Sequence, residues 1–475
     1  MPGPYDVICV GGGSAGMIVA QSGPPIGIKV AIIERDRIGG DCLWTGCVPS
    51  KALIASAKAA WTVRTASEFG INVRDYEVDT AAIWDRIRRI QQQIADEDDN
   101  ADSFRAVGAD VYFGEGRITG PNTVQVGDET LESKFILIAT GSRAAHPPIP
   151  GLEEAGFLTS ESIFTLERAP ESLVVIGGGP IGTEIAQSLV RLGSKVTLLQ
   201  RASRILERDE PELVDTLMRK LREEGVEIVT AAQIDSVERE GDERVVVGSV
   251  DGQSMRWRGE QILAAAGRLP NIEGLGLEEV GVRTNKRGII VDNRLRSSVP
   301  SIYAAGDVAG RYLFTHSAGF EAIRALRNMF YALWKDAPDL IPWTTFTEPE
   351  LAHVGLTIAE AEEKYGADKV QVWRNSLAHS DRARTEGQVE GGFVIVTGPG
   401  KKIVGAHILA PAAGELIGEY TLAIDQGATL SPDLANMIHV YPTFATANLY
   451  LASAATNDNL DSTVNRLARR LSWIG

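Results

Sequence analysis

The sequence has little cysteine and no long apolar run, and each shortage excludes a class of protein. Only 3 of its 475 residues are Cys, too few for a fold held together by disulfides, so we expect the reducing cytoplasm as its location. No run of about 18 uncharged apolar residues occurs, so no membrane-spanning segment is predicted. The first residues lack the basic and apolar regions of a secretory signal, so export is not expected.

Positive charge is also in short supply. Lys and Arg number 47 against 63 Asp and Glu, which gives a net charge of -16. A nucleic acid is therefore not expected as a partner, because binding phosphates needs a clustered positive surface. Small molecules are the expected partners, and at about 150 residues per domain the length indicates about three domains.

The first motif is a glycine-rich turn between two short apolar runs. The run 5–10 leads into Gly11, Gly13 and Gly16, and a second apolar run ends at Glu34. In a dinucleotide-binding turn the first glycine permits the tight turn, the second admits a pyrophosphate, and the third lets helix and strand pack closely. Glu34 stands where a carboxylate accepts hydrogen bonds from a ribose. The alternative is a purely structural turn.

The same pattern occurs a second time. An apolar run leads into Gly177, Gly179 and Gly182, and the next strand ends just before Gln200. The interval from the first glycine to the strand-end residue is 23 residues in both copies. Two dinucleotide sites are therefore predicted.

The strand-end residue differs between the copies and bears on which nucleotide binds. Gln200 is followed by Arg201 and Arg204, where the first copy has a carboxylate. A carboxylate repels a 2′-phosphate, whereas guanidinium groups bind it. We therefore expect NADPH at the second site, with NADH possible; the alternative is that both arginines are solvated loop charges.

Three further helices are predicted, and the sequence indicates where the first ends, that the second faces solvent, and two possible environments for the third. The helix after the first glycine turn should end near Ser22, because Gly23-Pro24-Pro25 follows. The polar stretch 83–106 is predicted to be a solvent-facing helix. Apolar residues at helical spacing from Leu460 to Leu471, with arginines elsewhere, indicate a helix packed on a dimer or, alternatively, lying on a membrane surface.

Two of the three cysteines lie close together. Cys42 and Cys47 have four residues between them and no second thiol pair to complete a zinc site, so no metal is expected. Pro49 suits the first turn of a helix, which places Cys47 at a helix N-terminus. The helix dipole and Lys51 should lower the pKa of Cys47. Cys9, within an apolar strand, is interpreted as a small buried residue.

The stretch around these cysteines, GGDCLWTGCVPSK, resembles the redox-active disulfide signature of the class I pyridine nucleotide-disulfide oxidoreductases. That family contains dihydrolipoamide dehydrogenase, glutathione reductase and mercuric reductase. The resemblance extends along the chain through ordered segments at 139–142, 177–184, 266–271, 304–308, 346–350 and 439–443.

The resemblance implies cofactors and roles. The first glycine turn would bind FAD and the second NAD(P)H. Cys47 would face the flavin and Cys42 would attack the substrate, while Lys51 would pair with Glu184 near the flavin. The other residues that the resemblance places at the cofactors are Thr140, Gly141, Asp307 and Thr315 for FAD, and Gly267 for NAD(P). Asp307 would bind the ribityl chain, and the helix opening at Thr315 would stabilise negative charge on the reduced flavin.

The sequence departs from the family at the acid–base pair. Disulfide-reducing members use H-P-T-x-x-E, supplied by the partner subunit, and here Tyr441 replaces the His and Thr446 the Glu. A Tyr titrates near 10 rather than near 6.5 and is a weak proton donor at neutral pH. His439, two residues earlier, is either a substitute or a bystander.

The departure leaves the electron acceptor open. The first hypothesis is electron flow from NAD(P)H through FAD to Cys42-Cys47 and on to an unidentified small-molecule acceptor. The second is a quinone or metal-ion reductase, or an NAD(P)H oxidase, in which the cysteines are secondary. Efficient Hg(II) relay is not expected, because the C-terminus carries no Cys pair. The third is a redox sensor with low turnover.

The expected architecture is α/β, with two Rossmann-like dinucleotide-binding domains and a C-terminal interface domain. The boundaries are an FAD domain at 1–150 and 271–343, an NAD(P) domain at 151–270, and an interface domain at 344–475. The resemblance implies a homodimer in which Tyr441 reaches the Cys42 of the other subunit.

Overall fold

A parallel sheet with buried strands organises the first part of the chain, whose computed structural model describes residues 4–331 and 334–460. The apolar, β-branched runs predicted around the first glycine turn form its two central strands, as expected for strands covered on both faces. The parallel order is β3-β2-β1-β6, and the antiparallel hairpin β4-β5 extends from the start of β6. The strands are β1 Tyr5–Val10, β2 Val30–Glu34, β3 Asp110–Phe113, β4 Gly116–Gly120, β5 Thr123–Val126, β6 Glu129–Ile138 and β7 Ser142–Ala144.

Helices follow these strands in the same part of the chain and carry the cysteine pair. They are α1 Ser14–Ser22, α2 Gly40–Trp44, α3 Cys47–Thr65, α4 Thr80–Glu97, α5 Ala101–Ala106 and α6 Leu152–Ala155. The first ends at Ser22 as predicted, because the two prolines after it form a separate short helical turn.

The prediction of one solvent-facing helix over 83–106 is wrong. The stretch forms two helices, because Asn100 accepts the Ser103 N–H and starts a new helix there. One face of α4 is buried, including Trp84, Ile87 and Gln91. The sequence did not indicate this buried face, because polar residues dominate the stretch and one of the buried residues is itself a glutamine.

The middle of the chain repeats the strand–turn–helix unit. The parallel sheet has the order β10-β9-β8-β14, and β11-β12-β13 form an antiparallel sheet beside it. The elements are β8 Ser172–Ile176, α7 Pro180–Arg191, β9 Lys195–Leu199, α8 Pro211–Glu224, β10 Glu227–Val229, β11 Gln233–Glu240, β12 Glu243–Val250, β13 Gln253–Gly259, β14 Gln261–Ala264 and β15 Arg268–Pro270.

The chain then returns to the first sheet. The elements are β16 Thr284–Asn285, β17 Gly288–Ile289, β18 Ile302–Ala304 and α9 Thr315–Phe330. Strand β18 pairs in parallel with β6, so the first unit is built from two separated stretches of chain. Helix α9 packs on α1 and begins at the predicted residue.

An antiparallel sheet forms the C-terminal part, in the order β19-β20-β23-β22-β21. The elements are β19 Trp343–Thr345, β20 Glu350–Gly355, α10 Ile358–Tyr365, β21 Gln371–Ser376, α11 Asp381–Thr385, β22 Gly392–Thr397, β23 Ile403–Ala410, α12 Ala413–Asp425 and α13 Thr446–Leu460. The predicted fold class, with two Rossmann-like units and a C-terminal α/β unit, is confirmed. The exact domain boundaries stay predictions, and the amphipathic segment after Leu460 lies outside the described residues.

Candidate active site

A cavity of about 1570 Å³ opens at the carboxyl ends of β1 and β6. It brings together residues from both stretches of the first unit and from α7. The predicted site residues that line it are Gly11, Gly13, Glu34, Cys42, Cys47, Lys51, Thr140, Gly141, Glu184, Asp307 and Thr315. Parallel strands leave such a crevice at the point where strand order reverses, which is where dinucleotides bind in this type of sheet.

The first glycine turn fits a dinucleotide. Gly11 has a φ of +117°, and a Cβ on Gly16 would lie 1.9 Å from the Gly11 carbonyl oxygen, so the helix approaches the turn as closely as predicted. Glu34 is buried, and its Oε2 accepts the Gly12 N–H at 2.6 Å. The carboxylate therefore stands at the edge of the turn, in the position expected for ribose recognition.

The second glycine turn repeats this geometry with an amide in place of the acid. Gln200 Oε1 accepts the Gly178 N–H at 2.9 Å, and a Cβ on Gly182 would lie 2.1 Å from the Gly177 carbonyl oxygen. Gln200 also donates to Glu207 at 2.7 Å, a carboxylate that sequence reasoning missed.

The two arginines proposed for the 2′-phosphate differ in their surroundings. Arg201 is exposed. Arg204 is half-buried with Nη1 4.0 Å from Asp215 Oδ1, and its Nε has no hydrogen-bond partner within the described part of the chain. Two predicted glycines of this site have open space beside them, because no atom lies within 4 Å of a Cβ built on Gly179 or Gly267. The Gly267 carbonyl accepts the Ala145 N–H at 3.0 Å.

The cysteine pair lies where two helices meet. Cys42 is on α2 and Cys47 is the first residue of α3, and both are free thiols. A hydrogen bond from Cys42 lowers the pKa of Cys47 to about 6, with further help from Thr315 and the charge of Lys51 against the opposing effect of burial. The same hydrogen bond, together with burial, raises the pKa of Cys42. The pKa of Cys47 is therefore lowered, as predicted, first by the neighbouring Cys42 thiol and then by Thr315, which comes from a distant part of the chain.

Lys51 and Glu184, which are 133 residues apart, form an ion pair at 2.8 Å. The buried Glu184 also accepts the Phe346 N–H at 2.9 Å, and the Lys51 ammonium lies 4.3 Å from the centre of the Phe346 ring. Each of the three residues comes from a different sheet unit. The Lys51–Glu184 ion pair implied by the resemblance is therefore present, and residues from all three sheet units hold it in place.

Two segments of the first unit close around Thr140 and Gly141. Thr140 Oγ1 donates to the Asn271 carbonyl at 2.7 Å, and Asn271 Nδ2 donates back to the Thr140 carbonyl at 2.9 Å. The Asn271 N–H donates to Gly141 at 3.0 Å. These three hydrogen bonds hold the loop after β6 against the segment at Asn271, where the chain leaves the middle unit.

Two residues that position the site were not singled out from sequence. Gln91 donates to the carbonyls of Leu43 at 3.1 Å and Trp44 at 2.7 Å, and so holds the turn between the two cysteines. Its burial, which sets it apart from the two glutamines that follow it, is decided by the fold and is not visible in the sequence.

Arg268 is the second residue missed, although it lies in a matching segment. It pairs with Asp41 beside Cys42 at 3.2 Å and donates to Ser142 Oγ at 2.7 Å. Ser142 in turn donates to Asp307 at 2.5 Å. Burial raises the pKa of Asp307, opposed by that hydrogen bond and by Arg268.

The C-terminal candidates are not among the described residues that line the cavity of the two cysteines. Tyr441 is 63 % exposed and donates to Asp381 at 2.7 Å. His439 has a side chain only 6 % exposed, with Nε2 3.1 Å from Glu419. Its Nδ1 is buried without a hydrogen-bond partner among the described residues. Thr446 is buried and donates to the Val440 carbonyl at 3.2 Å.

The burial of Cys9, groups of possible metal ligands and membrane-spanning helices were also considered over the described residues. Cys9 is fully buried in β1, which confirms its interpretation as a core residue. Over 4–331 and 334–460 no cluster of three or more His, Cys, Asp or Glu has a metal-holding arrangement. In the same ranges no helix has the length and hydropathy needed to cross a bilayer.

Thr315 should control the thiolate at Cys47. Its hydroxyl lies 3.3 Å from the sulfur, so Thr315→Val should raise the Cys47 pKa above 6 by about one unit, since a hydrogen bond to a charged group is worth about 1.5 kcal/mol. The thiolate is present above its pKa, so the ultraviolet thiolate absorbance of the reduced holoenzyme should appear at higher pH. Ser50→Ala is the control, because Ser50 contacts the Cys47 carbonyl and not its sulfur. An unchanged midpoint in Thr315→Val would contradict the assignment.

Comparison with known proteins agrees with this geometry. Residues 5–322 match the model of the pyridine nucleotide-disulphide oxidoreductase family, and residues 341–450 match that family's dimerisation domain. A mercuric reductase of Bacillus cereus is 35% identical over 93% of this chain and 70% of its own length. A dihydrolipoyl dehydrogenase of Bacillus subtilis is 33% identical over 93% of this chain and 96% of its own length.

A solved structure is similar to this fold over nearly the whole chain. The HOCl-induced flavoprotein disulfide reductase RclA of Escherichia coli superimposes with a TM-score of 0.84 at 26% identity, over 94% of this chain and 99% of that one. The family implies FAD and a pyridine nucleotide, and the dimerisation domain supports a homodimer. By its sequence and fold alike, this chain belongs to the pyridine nucleotide-disulphide oxidoreductase family.

Proposed function

We propose that this protein is a homodimeric flavoenzyme that takes reducing equivalents from NADPH and passes them through the Cys42-Cys47 pair to a small-molecule disulfide. The observation that carries the proposal is the convergence of Cys47, Thr315 and the Lys51–Glu184 pair on one cavity. FAD, when bound there, supplies the step between hydride transfer and thiol chemistry. The glycine turn and Glu34 would hold its adenosine half, and Asp307 with Thr140 and Gly141 its flavin half.

The two thiols divide the work by their pKa values. Cys47 is held as a thiolate at neutral pH, whereas Cys42 is held as a thiol and must lose its proton to attack. Cys42 sulfur then bonds to one acceptor sulfur, the acceptor disulfide breaks, and its other half leaves as a thiol after taking a proton. Cys47 attacks the Cys42 sulfur, which forms the Cys42-Cys47 disulfide and releases the second half. Two electrons pass from the pair to the acceptor.

Anaerobic reduction with NADPH followed by a panel of acceptors tests this function. A disulfide should reoxidise the enzyme, and a quinone or Hg(II) should do so more slowly. Faster reoxidation by a quinone or Hg(II) would favour the alternative in which the cysteines are secondary; Hg(II) is in the panel because mercuric reductases are among the relatives. Rapid reduction by NADPH with no turnover by any acceptor would favour the sensor hypothesis.

Nucleotide preference should depend on the arginines after Gln200. We expect a higher kcat/KM for NADPH than for NADH, and Arg201→Ala or Arg204→Ala should lower the NADPH value about tenfold, because a guanidinium–phosphate contact is worth at least about 1.5 kcal/mol. The NADH value should hardly change. Glu207→Gln removes a carboxylate beside Gln200 and should increase the NADPH preference. A wild-type preference for NADH would overturn the proposal of NADPH.

Tyr441 is proposed as the proton carrier from the partner subunit, because it is exposed and His439 is buried against Glu419. Its hydrogen bond to Asp381 raises the pKa of the Tyr441 hydroxyl, so it is a weak acid and base at neutral pH. Tyr441→His should raise kcat for disulfide reduction about tenfold or more and introduce a pH dependence near 6.5. Tyr441→Phe is the matched control and should lower kcat only a few-fold. No gain in Tyr441→His would place the proton carrier elsewhere.

A further inference from the structure

A carboxylate that the exchange above does not use lies against the turn that joins the two cysteines. Asp41 precedes Cys42 in α2, and its Oδ1 accepts the Thr45 hydroxyl at 2.6 Å. Its Oδ2 would lie 3.0 Å from a Cβ on Gly46, the residue before Cys47. The side chain is 39 % exposed and lines the cavity. Its charge is therefore next to Cys42 along the chain and close to the start of α3.

Arg268 is the counter-ion of this carboxylate. Its Nη2 lies 3.2 Å from Asp41 Oδ1, and Ser142 holds the guanidinium in place, with Nε donating to the hydroxyl at 2.7 Å and Nη2 to the carbonyl at 3.1 Å. Nε also lies 3.6 Å from Asp307 Oδ2. One cation from β15 thus serves two carboxylates, so it neutralises the charge of Asp41 only in part.

The charges around the sulfurs come from several elements. The pKa of Cys47 is lowered first by the Cys42 hydrogen bond, then by Thr315 and by Lys51 with its ion pair to α7, while burial and the charge of Asp41 oppose them. For the pKa of Cys42, the hydrogen bond with Cys47 and burial come first, and Asp41 raises it further. The carboxylate thus disfavours a thiolate at either position.

Reduction of the pair creates such a thiolate. The Cys42-Cys47 disulfide takes up two electrons and one proton, its S–S bond breaks, and a Cys42 thiol and a Cys47 thiolate result at neutral pH. A negative charge nearby makes this product less stable. A less stable reduced form is the stronger reductant, because more free energy is released when it returns to the disulfide.

We infer that Asp41 strengthens the Cys42-Cys47 pair as a reductant, and that Arg268 partly compensates this effect. The inference rests on the proposed function, because it concerns the driving force for the transfer to the acceptor. Asp41 is not a catalytic residue: it acts on the two sulfurs through its charge and forms no bond with the acceptor.

A redox equilibrium measures this charge effect without an acceptor. Holoenzyme is equilibrated anaerobically with defined ratios of reduced to oxidised dithiothreitol, which supplies the two electrons and the proton as it closes to its disulfide. After acid quenching, the thiols are alkylated in denaturant and the Cys42 and Cys47 peptides are quantified by mass spectrometry. Flavin absorbance checks that each variant retains FAD.

Asp41→Asn keeps an acceptor for the Thr45 hydroxyl and removes only the charge. The dithiothreitol ratio at half-reduction should fall about threefold, which corresponds to about half a pKa unit at Cys47; the shift is modest because water screens an exposed carboxylate. Asp102→Asn is the matched control. It removes an exposed carboxylate from its ion pair with Arg105, outside the cavity, and should leave the ratio unchanged.

Arg268→Gln should shift the ratio the other way, by about threefold, because it leaves the charge of Asp41 without its cation. Arg268→Lys keeps a cation and should shift it less. The double variant Asp41→Asn, Arg268→Gln should lie between the two single variants. Because the variants differ only at this ion pair, any charge that the partner subunit supplies is common to all of them.

Shifts of the same sign in Asp41→Asn and Arg268→Gln would overturn the inference, since a disturbed turn and not a charge would then explain both. So would a shift in Asp41→Ala without one in Asp41→Asn, because the Thr45 hydrogen bond alone would then matter. This second comparison still decides if Arg268→Gln loses FAD. Shifts of opposite sign in an enzyme that reduces no disulfide acceptor would refute the proposed function and leave the role of Asp41 in place.

Discussion

Cys42→Ser should abolish disulfide reduction while leaving reduction of the bound flavin by NADPH intact. The hydroxyl of serine is a far poorer nucleophile than a thiol at neutral pH, and it forms no disulfide with Cys47. Because the whole relay passes through one sulfur, the expected loss in kcat is about 10³-fold or more. Steady-state assays with a small-molecule disulfide, and stopped-flow reduction by NADPH, measure the two halves separately.

Cys9→Ala is the matched control for that variant. Cys9 is also a thiol of the first unit, but it is fully buried in β1 and packs within the core. Its replacement should change stability slightly and disulfide reduction hardly at all. Full activity of Cys42→Ser would rule out the thiol relay and would favour direct transfer to a quinone, a metal ion or oxygen.

The second large effect is expected on stability, at a buried ion-pair network centred on Arg191. Its side chain is 4 % exposed, and its Nε and Nη2 each lie 2.7 Å from the carboxylate of Glu224, which is 1 % exposed. Nη1 lies 2.5 Å from Glu348, which also pairs with Lys58 at 2.9 Å. The network joins α7 and α8 of the middle unit to α3 and to the loop before β20.

Glu224→Gln leaves the buried Arg191 guanidinium with Glu348 as its remaining carboxylate partner, so it should lower the free energy of unfolding by about 3 kcal/mol, the lower end for breaking a buried pair. The double variant Arg191→Met, Glu224→Leu should recover most of that loss, because apolar groups of similar size replace the pair without an unpaired charge. Urea denaturation of the holoenzyme, followed by far-ultraviolet circular dichroism, measures both.

Arg219→Met serves as the control for the network. Arg219 pairs with Glu390 at 2.8 Å on the surface, where such pairs contribute under about 1 kcal/mol. Equal effects of Glu224→Gln and Arg219→Met would show that burial gives the network no special weight. A double variant less stable than Glu224→Gln would show that packing, and not charge, dominates there.

Local patterns in the sequence were enough for the elements that carry the chemistry. Each glycine turn was placed correctly between its strand and helix, because the conformations and close contacts at Gly11 and Gly16 are set within a few residues. Proline likewise determines where α1 ends. The stretch 83–106 was misread because local polarity outweighed the buried face of α4.

Residues far apart in the chain account for what local patterns could not supply. Gln91 reaches the turn between the cysteines from a helix almost fifty residues later, and no spacing rule indicates it. Glu419 is opposite His439 only because α12 passes beside that segment. Such contacts depend on the path of the whole chain.

The sequence by itself determined the fold class and the two glycine turns, since these depend on residue types at short spacing, and its resemblance to the family led to the prediction that Cys42 and Cys47 are the redox pair. Only the tertiary structure decided that Thr315 contacts the Cys47 sulfur, and that the His439 side chain is buried whereas Tyr441 is exposed. The reason is physical: proton affinity and access depend on neighbours that folding brings in from distant segments.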